Sequence, residues 1–536
     1  MLIGDFVKKK LFKNIDIFII LLVSIVVLWI LFFRGYTVGH DSKFHIGNII
    51  ELTNQLRSNF FFPSRVYGTM ANDFGYGTGI FYPMLSHLSA AYINLVINNP
   101  LTSIKIIYFI GLFLSGLTMY GLSKRVSKDN KIALLSAVIY MVFPYHLSNI
   151  YIRDALTEST LFIFLPMILS GIYELFKGSK KKFYLLFTIG YIGGVLSHLT
   201  MMIYFTILIL IFLIIRFKDT IKNIKHFILA SIIILLVISP FVIPMVENKL
   251  LGNYRVFQDL VMVQGTWGNG LIPYRYFDFS VNNSNEIRYY IDIVCLVLLV
   301  ISIINYKKYR NKIYDYVIIF GIISIILSTI LFPWDIFPRS FRMFQYPWRF
   351  ETFAAVFISL VAPLCIKDFK VKNAHYILIA LMVWLSFSNT NWNNYSFIDL
   401  NDESIYEVSL GWQKEYLPVK TYENIDYYNN RSNDIIIKDN SCDVNIILNE
   451  VPSLEFSVSG ECTLEFPRLH YTGYSLKNEN GNKYEIYENE NGFIEVKVNS
   501  GTYYLDYTGT TLDNVCKYLN VIGLIGLGVI LFKKEV

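Results

Sequence analysis

The chain has 536 residues, of which 54% are hydrophobic, 16% aromatic and only 16% charged. Soluble globular domains carry about a quarter charged residues, so this composition argues against a soluble protein. The net charge of +6 comes largely from basic clusters that border apolar runs. None of these clusters is interleaved with aromatic residues as in a nucleic-acid interface, so we expect no nucleic-acid partner.

The first apolar run, Ile15–Phe33, has 19 residues and would cover about 30 Å as a helix, the thickness of a bilayer core. It is too long for the core of a signal peptide and no small-residue cleavage site follows it, which favours a retained span. The same reasoning predicts twelve transmembrane helices. They lie near 15–33, 103–122, 132–147, 159–176, 183–197, 200–216, 227–245, 290–305, 314–332, 352–366, 374–389 and 518–532.

Basic clusters set the predicted orientation, because lysine and arginine are concentrated in cytoplasmic loops. Such clusters include Lys8–Lys10, Lys124–Lys131, Lys180–Lys182, Lys307–Lys312 and Lys533–Lys534. With all of them inside, twelve spans place both termini in the cytoplasm. Segment 183–216 must then cross twice and turn near Ser197 and His198, while segment 80–97 must lie in the interface or re-enter without crossing.

The predicted domains are a transmembrane domain (1–389) with a large first outer loop (34–102), an extracytoplasmic β-rich domain (390–517) and a final helix with a cytoplasmic tail (518–536). Segment 390–517 alternates polar and apolar residues, and Asn480-Gly481, Asn491-Gly492 and Ser500-Gly501 are hairpin signals. These features favour a small antiparallel β-sandwich. Cys442 and Cys462 flank one predicted hairpin, so a disulfide is plausible there.

The first group of candidate functional residues, His40, Asp41 and His45, opens the first outer loop. A carboxylate at that position could act as general base toward an acceptor hydroxyl. Asp41 and His45 could instead bind a divalent cation such as Mg²⁺ or Mn²⁺. A third interpretation makes Asp41 only the N-cap of a helix.

The second group is Arg153, Asp154 and Glu158. On a continuous helix Asp154 and Glu158 would share one face. A cation beside two acids suits a phosphate or a bridging metal, and an interfacial salt bridge is the alternative.

The third group contains three arginines, Arg339, Arg342 and Arg349, on the predicted outer side. An arginine fork matches two phosphate oxygens. Arg349 could instead pair with Glu351. His198 and the loop 265–278 are weaker signals.

Several motifs in this order resemble one family of bacterial membrane proteins. They are GHDSKFH after the first span, Phe143-Pro144-Tyr145 followed by YIRDALTE, Ser197-His198-Leu199, QYPWRF and, at the start of the β-rich domain, Gly411–Pro418. The chain resembles the proteins named for a 6-pyruvoyl-tetrahydropterin synthase-related domain, and its C-terminal part is similar to YfhO-type membrane proteins.

The resemblance implies a GT-C-like glycosyltransferase architecture in a bacterial cytoplasmic membrane. By this resemblance Asp41 corresponds to the first-loop acid, the proposed catalytic base, and Arg153, Glu158 and Arg349 correspond to other motif positions, where we infer contact with the lipid phosphate. Together with His40, His45, Asp154 and His198, these last three residues form the expected substrate site. The expected partners are a polyprenyl-phosphate-linked sugar donor, an envelope glycan or lipid acceptor, and the bilayer. Two alternatives stay open: a transporter or flippase for an envelope lipid or polysaccharide, and a non-catalytic envelope assembly factor.

Overall fold

A computed structural model describes residues 15–61, 63–68, 70–258, 273–278, 286–336, 346–388, 392, 395–398, 414–439 and 442–532. Several predictions therefore lie outside the described residues. They concern the terminal clusters Lys8–Lys10 and Lys533–Lys534, Arg339 and Arg342, most of the loop 265–278, and Gly411–Gln413.

Within the described residues, six helices are long and apolar enough to cross a membrane. They are Ile15–Phe33, Pro100–Ser127, Leu156–Phe176, Phe217–Leu251, Pro347–Asp368 and Thr511–Phe532. A seventh span results if the pair Asn130–Met141 and Pro144–Tyr151, bent by 40°, counts as one. The other helices of nine residues or more are Ser42–Ser58, Leu85–Ile97, Ile189–Ser197, Leu199–Ile215, Ile293–Ile304, Lys312–Ser328 and Ala374–Ser388.

All twelve predicted spans overlap helices of the described residues, but only six lie within single helices of spanning length. The count of twelve therefore stays a prediction. The break predicted near His198 is present, because His198 is extended (φ −151°, ψ 95°) between Ile189–Ser197 and Leu199–Ile215. Its Nδ1 accepts a hydrogen bond from the Met201 amide and so caps the second helix.

The two longest helices of the first outer loop, Ser42–Ser58 and Leu85–Ile97, run in the same direction. Three side-chain contacts fix their register: His45 Nδ1 with His87 Nε2 at 2.7 Å, Asn94 to Thr53 at 3.0 Å, and Arg57 to Asn98 at 2.9 Å. We call this pair the loop strut. Since the contacts advance together along both helices, the strut is a parallel pair.

Arg65 attaches the first outer loop to two of the long helices. Pro244 has no N–H, so the carbonyl of Pro240, four residues earlier, loses its helical hydrogen bond. Arg65 donates to that carbonyl and forms an ion pair at 2.8 Å with Asp513 of the final helix. One side chain thus satisfies a helix defect and joins three segments.

The C-terminal region forms a sandwich of two antiparallel sheets. We number all strands in chain order: β1 Tyr36–Thr37, β2 Phe397–Ile398, β3 Ile436–Ile437, β4 Asp443–Glu450, β5 Ser453–Ser459, β6 Cys462–Leu469, β7 Tyr474–Asn478, β8 Lys483–Tyr484, β9 Tyr487–Glu488, β10 Phe493–Val498 and β11 Gly501–Tyr507. The sheets have the orders β3-β6-β10-β9 and β4-β5-β11-β7-β8, while β1 pairs with β2 beside the first span. Side chains of both large sheets, such as Phe456 and Phe466, form one buried core.

The structure confirms part of the predicted detail of this domain and corrects the rest. Cys442 and Cys462 form a disulfide that joins the residue before β4 to β6, a central strand of the other sheet. Asn480-Gly481 and Asn491-Gly492 turn the hairpins β7–β8 and β9–β10. The hairpin predicted at Ser500-Gly501 is wrong, because β10 and β11 belong to different sheets. The final helix begins at Thr511, earlier than predicted.

The sandwich rests against the first outer loop through a cluster of aromatic side chains. The backbone amide of Leu469 donates to the carbonyl of Phe74 at 2.9 Å, and that of Tyr416 donates to the hydroxyl of Tyr76 at 3.1 Å. Tyr471 in turn donates to the carbonyl of Tyr416 at 2.9 Å. These bonds place the β-rich domain against the middle of the first outer loop.

Candidate functional site

The start of the first outer loop is fixed to the loop that precedes Leu156–Phe176. The amides of His40 and Asp41 donate to the carbonyls of Ile152 and Arg153 at 3.2 and 2.9 Å. Gly39 makes this approach possible, because a Cβ at that position would lie 2.6 Å from Cβ of Asp154. The two backbones therefore bring the first and second groups of predicted residues together.

Asp154 stabilises this junction from inside. Its buried carboxylate accepts hydrogen bonds from Tyr36 and Tyr108, and Ser42 also bonds to it. Burial raises the pKa of Asp154 to about 7, although these hydrogen bonds lower it in part. Asp154 has a φ of +54° and precedes the helix that starts at Leu156. The prediction that it shares a helix face with Glu158 is therefore wrong.

Glu158 lies in a separate buried network that joins the second and third groups. Its Oε2 pairs with Arg153 at 2.7 Å and with Arg349 at 3.7 Å. Three further donors approach its Oε1: Tyr145 at 2.5 Å, Asn149 at 3.5 Å and Thr352 at 3.4 Å. Because burying a carboxylate without partners is costly, this set of donors allows Glu158 to be buried.

Arg349 does not pair with Glu351, the nearby acid in the sequence. Arg349 pairs with Glu158, whereas Glu351 is bonded by Tyr276, so the interpretation as an Arg349–Glu351 pair is wrong. The guanidinium of Arg153 also lies over the ring of Trp348, 4.8 Å from its centroid. Two arginines from distant parts of the chain thus share one glutamate and one indole.

Asp41 differs from these buried acids because it is only half-buried. It occupies the N-cap position of Ser42–Ser58, yet in the described residues its side chain makes no capping hydrogen bond to that helix. Burial raises the pKa of Asp41, and the positive charges of Arg153 and Arg349 offset part of that rise. A partly accessible carboxylate of raised pKa beside two cations is suited to taking up a proton.

The three predicted histidines differ in their exposure and in their contacts. His40 is exposed and His198 half-buried, and the same arginines act electrostatically on both the His198 ring and Asp41. His45 is buried, and its ring is engaged by His87. Among the described residues no group of three or more His, Cys, Asp or Glu side chains is arranged to hold a metal ion. The Mg²⁺ or Mn²⁺ site suggested at Asp41 and His45 stays a prediction.

Tyr416 is a residue of this region that sequence reasoning did not select as a site residue. It enters from the β-rich domain, with its ring 6.3 Å from that of Tyr82 and 6.5 Å from that of Phe44. Tyr82 bonds Thr157, one residue before Glu158, at 2.8 Å. Tyr416 lies in the motif that opens the β-rich domain, so that motif was the available signal.

The comparisons with known proteins identify the family of this chain. A family model described as "6-pyruvoyl-tetrahydropterin synthase related domain; membrane protein" matches residues 80–395. The chain belongs to this family. The match contains Arg153, Glu158, His198 and Arg349, while Asp41 precedes it. The resemblance to the 6-pyruvoyl-tetrahydropterin synthase-related family is thereby confirmed, and with it the assignment as a membrane protein.

A relative is an uncharacterized protein of Lactococcus lactis subsp. cremoris (strain MG1363), 24% identical over 345 residues. The aligned stretch covers 60% of this chain and 55% of the relative. The chain thus spans about half the length of that relative.

Proposed function

We propose that this protein is an integral membrane glycosyltransferase that moves a sugar from a polyprenyl-phosphate donor to a cell-envelope acceptor. The observation that carries the proposal is the convergence of half-buried Asp41 with Arg153 and Arg349, which come from three separate segments. A carboxylate able to accept a proton and two guanidinium groups able to stabilise a leaving phosphate are the groups that this reaction needs.

In the proposed reaction the acceptor hydroxyl oxygen attacks the anomeric carbon of the donor sugar. The bond from that carbon to the phosphate oxygen breaks, and polyprenyl phosphate leaves with the bonding electrons. Asp41 takes the hydroxyl proton, and Arg153 and Arg349 stabilise the departing phosphate. Glu158 orients both arginines, and attack from the face opposite the phosphate inverts the configuration.

The proposal includes a GT-C-like topology with twelve crossings, both termini in the cytoplasm and the β-rich domain outside. The Cys442–Cys462 disulfide supports the outer location of that domain, because disulfides persist in oxidising compartments. With that topology the Asp41 region lies at the outer ends of the spans, where a lipid-linked donor presents its phosphate. The proximity of Asp41 to Arg153 and Glu158 favours a catalyst over an assembly factor.

The test is an envelope-glycan comparison of cells that have the wild-type protein, no protein, or Asp41→Asn at equal level. We expect one glycan decoration to disappear in the deletion and in Asp41→Asn. Asp443→Asn, which changes an exposed acid of the sandwich, is the matched control and should retain the decoration. A decoration lost in the deletion but kept in Asp41→Asn would refute the catalytic role and indicate a transporter or assembly factor.

A further inference from the structure

The far end of the loop strut carries an unusually exposed group of apolar side chains. Phe60, Phe61, Val96 and Ile97 are 51%, 75%, 87% and 40% exposed. We call these four residues the apolar tip. They belong to the first outer loop and to neither of the spans that flank it.

The position of the apolar tip in the chain indicates what covers it. Asn98 follows Ile97 directly, and the span Pro100–Ser127 begins two residues later. The tip is therefore next to the end of a membrane-crossing helix. An apolar surface continuous with a span is more readily covered by lipid than by water, because exposing it to water is unfavourable.

The polar groups beside the tip fit the same environment. Exposed Arg57 donates to Asn98 at 2.9 Å, and Tyr92 donates to the carbonyl of Phe60 at 2.8 Å. The rings of Phe60 and Phe61 are 5.1 Å apart, and that of Tyr92 is 5.1 Å from Phe60. Aromatic rings with a neighbouring arginine and tyrosine are typical of the headgroup boundary of a bilayer.

We propose that the apolar tip inserts into the lipid leaflet on the side of the membrane where Pro100–Ser127 begins. The opposite end of the strut adjoins Asp41, which follows the span Ile15–Phe33 by seven residues of chain. Ser42–Ser58 has 17 residues and is about 25 Å long. With one end beside each of two spans, the strut lies along the membrane surface and holds Asp41 at headgroup level.

This depth has a consequence that rests on the proposed function. A donor phosphate stays at headgroup level while its polyprenyl tail stays in the bilayer. A strut anchored at its far end keeps the Asp41 carboxylate at that same level, so the insertion of the tip positions the base relative to the phosphate.

The experiment measures depth directly and does not depend on activity. Phe61→Cys and, separately, Val96→Cys are labelled with the fluorophore NBD in the full-length protein, reconstituted in phosphatidylethanolamine–phosphatidylglycerol vesicles. Labelling is selective because the three free cysteines are buried and the other two form the disulfide. Tyr487→Cys, at a residue of the sandwich that is 51% exposed, is the matched control.

We expect a blue-shifted emission at positions 61 and 96 that is quenched by lipids carrying a shallow doxyl group, and neither effect at position 487. Emission at 61 and 96 that matches the control would overturn the proposal. A blue shift without quenching would also overturn it, since a protein partner or second copy would then cover the tip. The result should be the same in an Asp41→Asn background, so a failure of the proposed activity stays distinguishable.

Discussion

Two buried glutamates, Glu158 and Glu465, occupy similar networks in different parts of the molecule. Glu465 is fully buried in the sandwich and binds Arg431 at 2.8 Å and Lys438 at 2.9 Å. Tyr427 and Asn489 each donate to it at 2.7 Å. Glu158 likewise pairs with two cations and accepts from neutral donors.

The difference lies in what adjoins each network. All partners of Glu465 come from one domain, with two donors on each carboxylate oxygen, so the carboxylate is saturated. Glu158 binds one arginine from the loop just before its helix and one, Arg349, from a distant segment, and both act electrostatically on half-buried Asp41. A buried ion network alone indicates stability. A network whose arginines also act on the partly accessible Asp41 is the basis of the proposed site.

The largest expected effect is on the stability of the sandwich. Glu465→Ala leaves Arg431 and Lys438 without their counter-charge, and breaking a buried pair in this way costs about 3–5 kcal/mol. Thermal unfolding followed by protease resistance of the β-rich domain measures this loss. Glu461→Ala removes an exposed partner of Lys497 in the same domain and should change nothing measurable. Equal effects of the two variants would contradict the structural role of Glu465.

The stability of the first-loop junction around Asp154 and that of the sandwich around Glu465 should depend on pH in opposite directions. Burial raises the pKa of Asp154 to about 7 in the folded protein. The stabilisation that protonated Asp154 gives to the fold is therefore fully present below its pKa in the unfolded chain and is lost as pH rises through 7. Burial raises the pKa of Glu465, but its hydrogen bonds and Arg431 hold it below its ordinary value. The contribution of Glu465 is therefore lost as pH falls through that lowered pKa.

Hydrogen exchange at the amides of His40 and Asp41, compared with exchange in β6, separates these two effects. Between pH 5 and 8 we expect protection of the first-loop junction to decrease by at most about 1.4 kcal/mol per pH unit. Protection of β6 should weaken only in acid. Asp154→Asn should abolish the first dependence and leave the second unchanged, and a dependence that survives this substitution would show that another group titrates.

A smaller effect is expected from Arg349→Lys. Lysine keeps the charge but lacks the planar fork, so it cannot hold Glu158 and a phosphate in the same geometry. Losing one charge-assisted hydrogen bond, about 1.5 kcal/mol, should reduce sugar transfer roughly tenfold. Initial rates with a polyprenyl-phosphate sugar measure the loss. Arg431→Lys is the control outside the site, and an equal loss there would mean that global stability is responsible.

Much of the site could be predicted because its chemistry resides in residue types. Asp41, Arg153, Glu158 and Arg349 were selected as charged groups near predicted outer helix ends, and the structure brings them together. The role of Asp154 could not be predicted, because it depends on a φ of +54° and on hydroxyls from two other segments. Spacing along the chain does not encode such tertiary partners.

The strands of the sandwich also differ in how clearly the sequence marks them. Strands with one exposed face alternate polar and apolar residues in sequence, as β5 and β11 do. β6 is buried on nearly every residue and contains Glu465, Pro467 and Arg468, so no alternation marks it in the sequence. Ser500-Gly501 has the sequence of a hairpin turn, but pairing on both sides of β10 and β11 assigns those strands to different sheets.

The smallest effect concerns Arg65, which joins regions 448 residues apart in sequence. A double-mutant cycle of Arg65→Ala and Asp513→Ala should give a coupling energy of about 1 kcal/mol, within the usual range for residues in contact. Arg65→Ala alone should cost more than Asp513→Ala, because only Arg65 satisfies the Pro240 carbonyl that Pro244 leaves without a donor. Thermal unfolding in detergent measures the stability of all four proteins of the cycle.

The more exposed pair Arg216 and Asp219 is the control cycle and should couple less. Equal costs of the two single substitutions would mean that the carbonyl finds another donor, and that Arg65 acts only through its charge.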